Sequence, residues 1–311
     1  MSAPVPALPA PAPARAHVLL WPALALVLVV TWSSGFVGFR MATETAPTLL
    51  VLFWRNLLSG LILLPFALLI GPRISARALK EQAIYGVLGM FLYLASFALA
   101  IGQRVPTGLV ALISDLVPLA IAALSQPVLG HRLTRRQWLG TGIGALGVAI
   151  VSAGSVTIGH APLWAYLLPV AGMIVFAGVT VTQKKLGSVH LPVHQSLAIQ
   201  CLTAAACFGT VQGLVGPLAP PLDRPFLTGI VWLVLSATLI CYSVYYLALR
   251  LYPAAKVAAA VYLSPPVTMI WAWALFGERL GPTLFAGLGV TFLGVWLATA
   301  APRQTPFPKT A

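Results

Sequence analysis

Residues 106–151 read PTGLVALISDLVPLAIAALSQPVLGHRLTRRQWLGTGIGALGVAIV, and residues 253–298 read PAAKVAAAVYLSPPVTMIWAWALFGERLGPTLFAGLGVTFLGVWLA. Aligned without gaps at a constant offset of 147, the two stretches share 13 identities in 46 positions. Pro106 meets Pro253, Pro118 meets Pro265, and Gly130 meets Gly277. Arg132-Leu133 meets Arg279-Leu280, and Gly140, Gly142 and Gly147 meet Gly287, Gly289 and Gly294. Abundant alanine and leucine explain some of the matches, but not prolines and glycines in register. Each copy holds two long apolar runs, so the chain is read as doubled.

Working outward, the whole chain has the same character. Of 311 residues, 59% are hydrophobic and 7% charged, against about 45–50% and about 25% in soluble domains. So few charges cannot cover a water-facing globule, which places the chain in the membrane class. A bilayer core of about 30 Å needs about 20 apolar residues per helix. Ten runs meet this: 18–39, 47–70, 80–102, 106–128, 136–153, 162–182, 193–215, 226–249, 254–276 and 283–301. Pro and Gly punctuate the breaks, as at Gly71-Pro72, Pro192, Pro220-Pro221 and Gly281-Pro282. The runs are continuous rather than alternating, which excludes a β-barrel.

The expected fold is therefore an all-α polytopic membrane protein of ten transmembrane helices. Residues 18–153 and 162–301 form two repeats, with short cytoplasmic tails at 1–17 (disordered, rich in Ala and Pro) and 302–311. Five spans per repeat is an odd number, so the second copy crosses the bilayer upside down. Inverted repeats are the architecture of many secondary transporters, with the solute site near the midplane.

The net charge of +13 is scattered singly between apolar runs, which argues against nucleic-acid binding. With both termini inside, 13 Lys and Arg fall in inside segments and 4 in outside loops. That bias places both termini in the cytoplasm, with the chain multi-pass in the inner membrane. Cys201, Cys207 and Cys241 lie in apolar runs and read as small buried side chains. The chain has no Walker motif, and His190 and His194 straddle Pro192 in a loop. No cofactor and no metal are expected. The spans lack a histidine at depth and hold one deep carboxylate, too little for paired catalytic groups, so an enzyme is not expected.

Some of the motifs resemble a known family. Thr31-Trp32-Ser33-Ser34-Gly35-Phe36-Val37-Gly38 in the first span, the stretch from Pro47 to Arg55-Asn56, and Phe276-Gly277-Glu278-Arg279-Leu280 resemble the drug/metabolite transporter superfamily, in its EamA-type ten-helix branch. Asn56 stands where the family usually has Phe, and His131 replaces the Glu of the first-half Gly-Glu-Arg-Leu. The resemblance covers residues 20–300. It implies a basket in which spans 1, 3, 4, 6, 8 and 9 surround a cavity, with spans 5 and 10 peripheral. It also implies a secondary transporter of amino acids, related metabolites or drugs, with export expected and protons as a candidate coupling ion. The alternatives are a multidrug or other metabolite permease of the same fold, or a non-transporting membrane protein.

Several residues are candidates for the solute or ion pathway, each with a structural alternative. Asp115 is the one acidic residue deep in a predicted span, about 13 Å along from Pro106. It is a proton-binding carboxylate, an anchor for a cationic solute group, or a structural hydrogen-bonding group. Tyr262 is its repeat partner. Arg55 binds a solute carboxylate, or snorkels to the surface or pairs with Glu44. Trp32 and Ser33 line a cavity or pack between helices. Tyr242 and Tyr246, with Tyr245, face a solute or form an interfacial belt. Pro118 and Pro265 are hinges or static kinks. Gly140, Gly144 and Gly147, with Gly287, Thr291 and Gly294, form stripes for close helix packing or for a homodimer face. The expected partners are a small-molecule solute and the lipid bilayer.

Overall fold

The computed structural model describes residues 14–103, 105, 110, 113–114, 116–117, 120–121, 123–124, 128, 134–155, 161–186, 191–252, 257, 260–261, 263–276 and 282–299. Every regular element among them is helical. In chain order these are α1 (Ala14–Ala42), α2 (Thr48–Leu69), α3, α4 (Arg135–Ser155), α5 (Leu163–Leu186), α6 (Val193–Val215), α7, α8 (Ser264–Phe276) and α9 (Pro282–Thr299). Two of them are composite. Helix α3 runs Ala76–Tyr85, widens to a π-helix over Gly86–Leu92 and continues as Tyr93–Gly102. Helix α7 does the same over Arg224–Trp232, Leu233–Ile240 and Cys241–Leu251. The two π-segments begin 147 residues apart, at Gly86 and Leu233, which is the offset of the sequence match.

Helix ends are set by local chemistry. Ser75 caps α3 by accepting from the Ala78 N–H at 3.2 Å. Asp223 caps α7 by accepting from the Phe226 N–H at 2.9 Å, with Pro225 in the first turn, where its missing N–H costs nothing. Gly71, at φ 111°, reverses the chain after α2, a conformation that favours glycine.

Among the described residues, six helices are long and apolar enough to cross a membrane: Leu20–Ala42, Thr48–Leu69, Ala76–Ile101, Leu163–Gln183, Val193–Val215 and Arg224–Leu249. Their outer faces expose large apolar side chains such as Leu61, Phe66, Leu68 and Leu167, which suits a lipid surround rather than water.

Helices pack in four main pairs: α1 with α7, α2 with α6, α3 with α5, and α4 with α9. Glycine allows the closest crossings. A Cβ on Gly229 of α7 would lie 2.6 Å from the Ala42 nitrogen and 2.7 Å from the Gly38 carbonyl of α1. In the α4–α9 pair, a Cβ on Gly294 would lie 2.6 Å from Gly144 Cα and 2.7 Å from the Gly140 carbonyl, and one on Gly147 2.7 Å from the Gly287 carbonyl. The glycine stripes thus face each other within one chain. The face offered above for a homodimer is already occupied.

The ninth predicted span differs from its expected form. Pro265 was expected midway along a helix covering 254–276, but α8 begins at Ser264, so Pro265 is its second residue. There a proline fits without breaking a hydrogen bond. A turn precedes it, in which the Leu263 N–H donates to the Ala260 carbonyl at 2.9 Å. The same turn occurs 147 residues earlier, where the Leu116 N–H donates to the Ile113 carbonyl at 3.1 Å.

Candidate functional site

A cavity of about 560 Å³ opens beside the C-terminal end of α1. This lies within the range of about 300–1,000 Å³ usual for small-molecule sites. Helix α1 supplies Trp32, Phe36, Phe39 and Arg40, which follow one another at helical spacing down a single face, and Thr43 follows in the turn after it. Helix α2 adds Leu52 and Arg55, α3 adds Tyr93 and Phe97, α7 adds Ala237 and Tyr242, and α8 adds Thr268 and Phe276. Val110 and Ser114 complete the wall. At the mouth, the Arg40 guanidinium sits 4.1 Å from the centroid of the Phe276 ring, a cation–π contact between α1 and α8.

Among the described residues that line the cavity, Arg55 is the charged group at depth. It is 8% exposed, so it does not snorkel, and its bonding partners lie in α7 rather than at Glu44, which corrects both structural alternatives offered above. Its Nε donates to Thr238 Oγ1 at 2.8 Å, and its Nη2 donates to the Ala237 carbonyl at 3.3 Å. Both acceptors lie in the π-segment of α7, and Thr238 Oγ1 in turn donates to the Leu233 carbonyl at 2.9 Å. The widened helix therefore holds the guanidinium at the cavity wall.

The cavity ends at an aromatic floor. The Trp32 ring centroid lies 6.5 Å from that of Tyr242 and 5.7 Å from that of Tyr245. Beyond it, toward the opposite end of the bundle, remains a void of about 20 Å³ between Tyr85, Phe176, Gln200, Tyr242 and Tyr246. That is room for about one water and no solute. A polar chain crosses three helices here. Tyr246 Oη of α7 donates to Gln200 Oε1 of α6 at 3.0 Å, and Gln200 Nε2 donates to Gln82 Oε1 of α3 at 2.7 Å. Gln82 and Gln200 are each 4% exposed.

The sequence-derived candidates are thus partly gathered. Trp32, Arg55 and Tyr242 line the cavity, and Tyr246 lies at the closed end. Ser33 does not reach the cavity: it is fully buried and donates to the Val29 carbonyl of its own helix. Its neighbour Ser34 pairs with Ser236 of α7 at 2.8 Å. Asp115, Pro118 and Tyr262 lie outside the described residues, as does the side chain of Pro265. Two expectations about the walls also shift. Helix α2 contributes Arg55, and α5, the sixth predicted span, faces the closed end through Phe176 and Thr180 instead of the large cavity.

Sequence reasoning passed over Phe36, Phe39, Arg40 and Thr43, although continuing the Trp32 face along α1 would have found them. It also missed the Tyr93–Ser114 hydroxyl pair at 3.0 Å and Thr268. His194 is a packing residue whose Nε2 lies 2.8 Å from the Ile70 carbonyl.

Known proteins resemble this chain along most of its length. An uncharacterized inner membrane transporter of Escherichia coli, YedA, is 27% identical over 277 residues, covering 88% of each chain. A probable terminal-alkyne amino-acid exporter of Streptantibioticus cattleyicolor is 28% identical over 288 residues, covering 88% of this chain and 91% of its own. One crystal structure shares the fold, with a TM-score of 0.71 and 18% identity over 89% of this chain and 95% of that one. The EamA-like transporter family matches twice, over residues 19–153 and 163–300. With a cavity walled by both matched halves and a family match across nearly the whole sequence, the chain belongs to the EamA-like transporter family.

Proposed function

We propose that this protein is a secondary active transporter that exports amino acids or related small metabolites across the inner membrane by alternating access. One observation carries the reading: a solute-sized cavity open at one end of the bundle that narrows, among the described residues, to a void of about 20 Å³ toward the other. A carrier in one of its two access states has this form, whereas a channel would be continuous. The names of the relatives support an amino-acid-like solute and the inner membrane.

Ten spans in two inverted five-helix repeats underlie the proposal. The double family match supports two repeats, and so does the 147-residue spacing of the π-segments and of the turns at Leu116 and Leu263. The packing supports a two-fold relation between the halves, which five spans per half would make an inversion: exchanging the halves turns the α1–α7 pair into the α5–α3 pair and leaves α2–α6 and α4–α9 unchanged. The charge bias of the loops supports cytoplasmic termini, which makes the open mouth face outward. Asp115 is the proposed proton carrier.

The test is a growth screen of overexpressing cells against toxic concentrations of amino acids, analogues and cationic drugs, followed by flux into proteoliposomes. Protection by one amino-acid-like class, with matching gradient-driven flux, is the expected result. Absence of flux of any protective compound in the purified system would refute a transport role.

A further inference from the structure

We infer that the cavity binds a small organic carboxylate by its charged end, with Arg55 as the anchor. This rests on the transporter reading and names the solute class. A buried cation is costly unless something compensates it. Among the described residues no carboxylate pairs with Arg55; its partners are the neutral Thr238 hydroxyl and the Ala237 carbonyl. A guanidinium carries five N–H donors, and these two bonds leave three of them without a partner among the described residues. Arg55 lines the cavity, so an anion entering there meets a donor pair already fixed in place.

The second observation is independent. Thr268 Oγ1, on the wall contributed by α8, is buried and has no hydrogen-bond partner. Buried hydroxyls are almost always paired, so an unpaired one on a wall residue becomes a ligand donor when its side chain turns toward the cavity. The remaining wall sets the rest of the solute. Phe36, Phe39 and Phe97 offer apolar and aromatic surface, and the described lining holds two arginines and no acid. The solute is thus a monocarboxylate with an apolar or aromatic body. Its carboxylate takes the free edge of Arg55, and its amine, where it has one, is not essential for binding. Arg and carboxylate match as a two-point pair, which gives orientation as well as affinity.

The experiment uses the full-length protein in lipid nanodiscs and equilibrium binding of three probes sharing a phenyl body: phenylpyruvate, phenylalanine and phenethylamine. A second trio carries the leucine side chain. Both carboxylate probes of at least one trio are expected to bind, and the amine at least about tenfold more weakly. Arg55→Gln is expected to weaken the carboxylate probes about ten- to hundredfold and to leave the amine unchanged, with Arg55→Lys intermediate. Equal binding of the amine, failure of every carboxylate, or an unaltered Arg55→Gln variant would overturn the inference. Where Arg55→Gln does not fold, the wild-type probe series decides alone. Transport of a different solute in proteoliposomes would then leave the transporter reading standing without the anchor.

Discussion

Replacing Gln200 with leucine is expected to open the sealed end. In the wild type Gln200 accepts from Tyr246 Oη at 3.0 Å and donates to Gln82 Oε1 at 2.7 Å, tying α3, α6 and α7 together. Leucine can do neither, so the Tyr246 hydroxyl and the Gln82 carbonyl oxygen are left buried without these partners. Each such group costs about 1–3 kcal/mol. When the end opens, water satisfies both, so the penalty falls on the closed state alone. Taking the lower figure twice gives about 2 kcal/mol, a shift of about 30-fold toward the open state. Cys201, fully buried and adjacent to Gln200, is a natural reporter. In a variant that keeps only this cysteine (Cys207→Ser, Cys241→Ser), a membrane-impermeant maleimide applied from the N-terminal side reads the open population as a labelling rate. The rate should rise at least tenfold in Gln200→Leu. An unchanged rate in a folded protein would show that the glutamine chain does not hold that end shut.

Other expectations follow from the same geometry. Gly294→Ala is expected to destabilise by about 2–3 kcal/mol, because the added Cβ meets backbone of α4, whereas Gly289→Ala, with nothing within 4 Å, should be neutral or slightly stabilising. Thermal unfolding of the two variants in detergent decides this, and equal stability would contradict the α4–α9 packing. Asp115→Asn is expected to abolish flux driven by a pH gradient while sparing solute exchange. Undiminished gradient-driven flux would remove Asp115 from the coupling. Thr238→Val should weaken carboxylate binding less than Arg55→Gln does, since it frees the guanidinium without discharging it; a larger loss would make Thr238 the direct contact.

The helices were legible because lipid imposes a length and a composition that a sequence cannot hide. Predicted spans meet the observed helices within four residues at α1 to α7 and at α9. The site was legible only where one residue type stood out, as with Trp32, Arg55 and Tyr242. Ser33 was misplaced because one residue turns a helix by about 100°, which moved the face from the cavity to the helix itself. The π-segments carry no shared signature, since Gly86 and Gly89 mark the first and Leu233–Ile240 contains no glycine at all. The Gln82–Gln200 pair joins residues 118 apart, and nothing local to either foretells the other. Pro265 was expected midway along one helix, whereas α8 starts at Ser264, just after the turn at Leu263.

Tyr242 belongs to both compartments, bordering the open cavity on one side and the one-water void on the other. A guest settling against the Trp32 wall leans on the same ring that backs the tyrosine–glutamine latch. In the proposed carrier, arrival on one side and release on the other would be joined through a single phenol, with no need for a signal to travel along the helices.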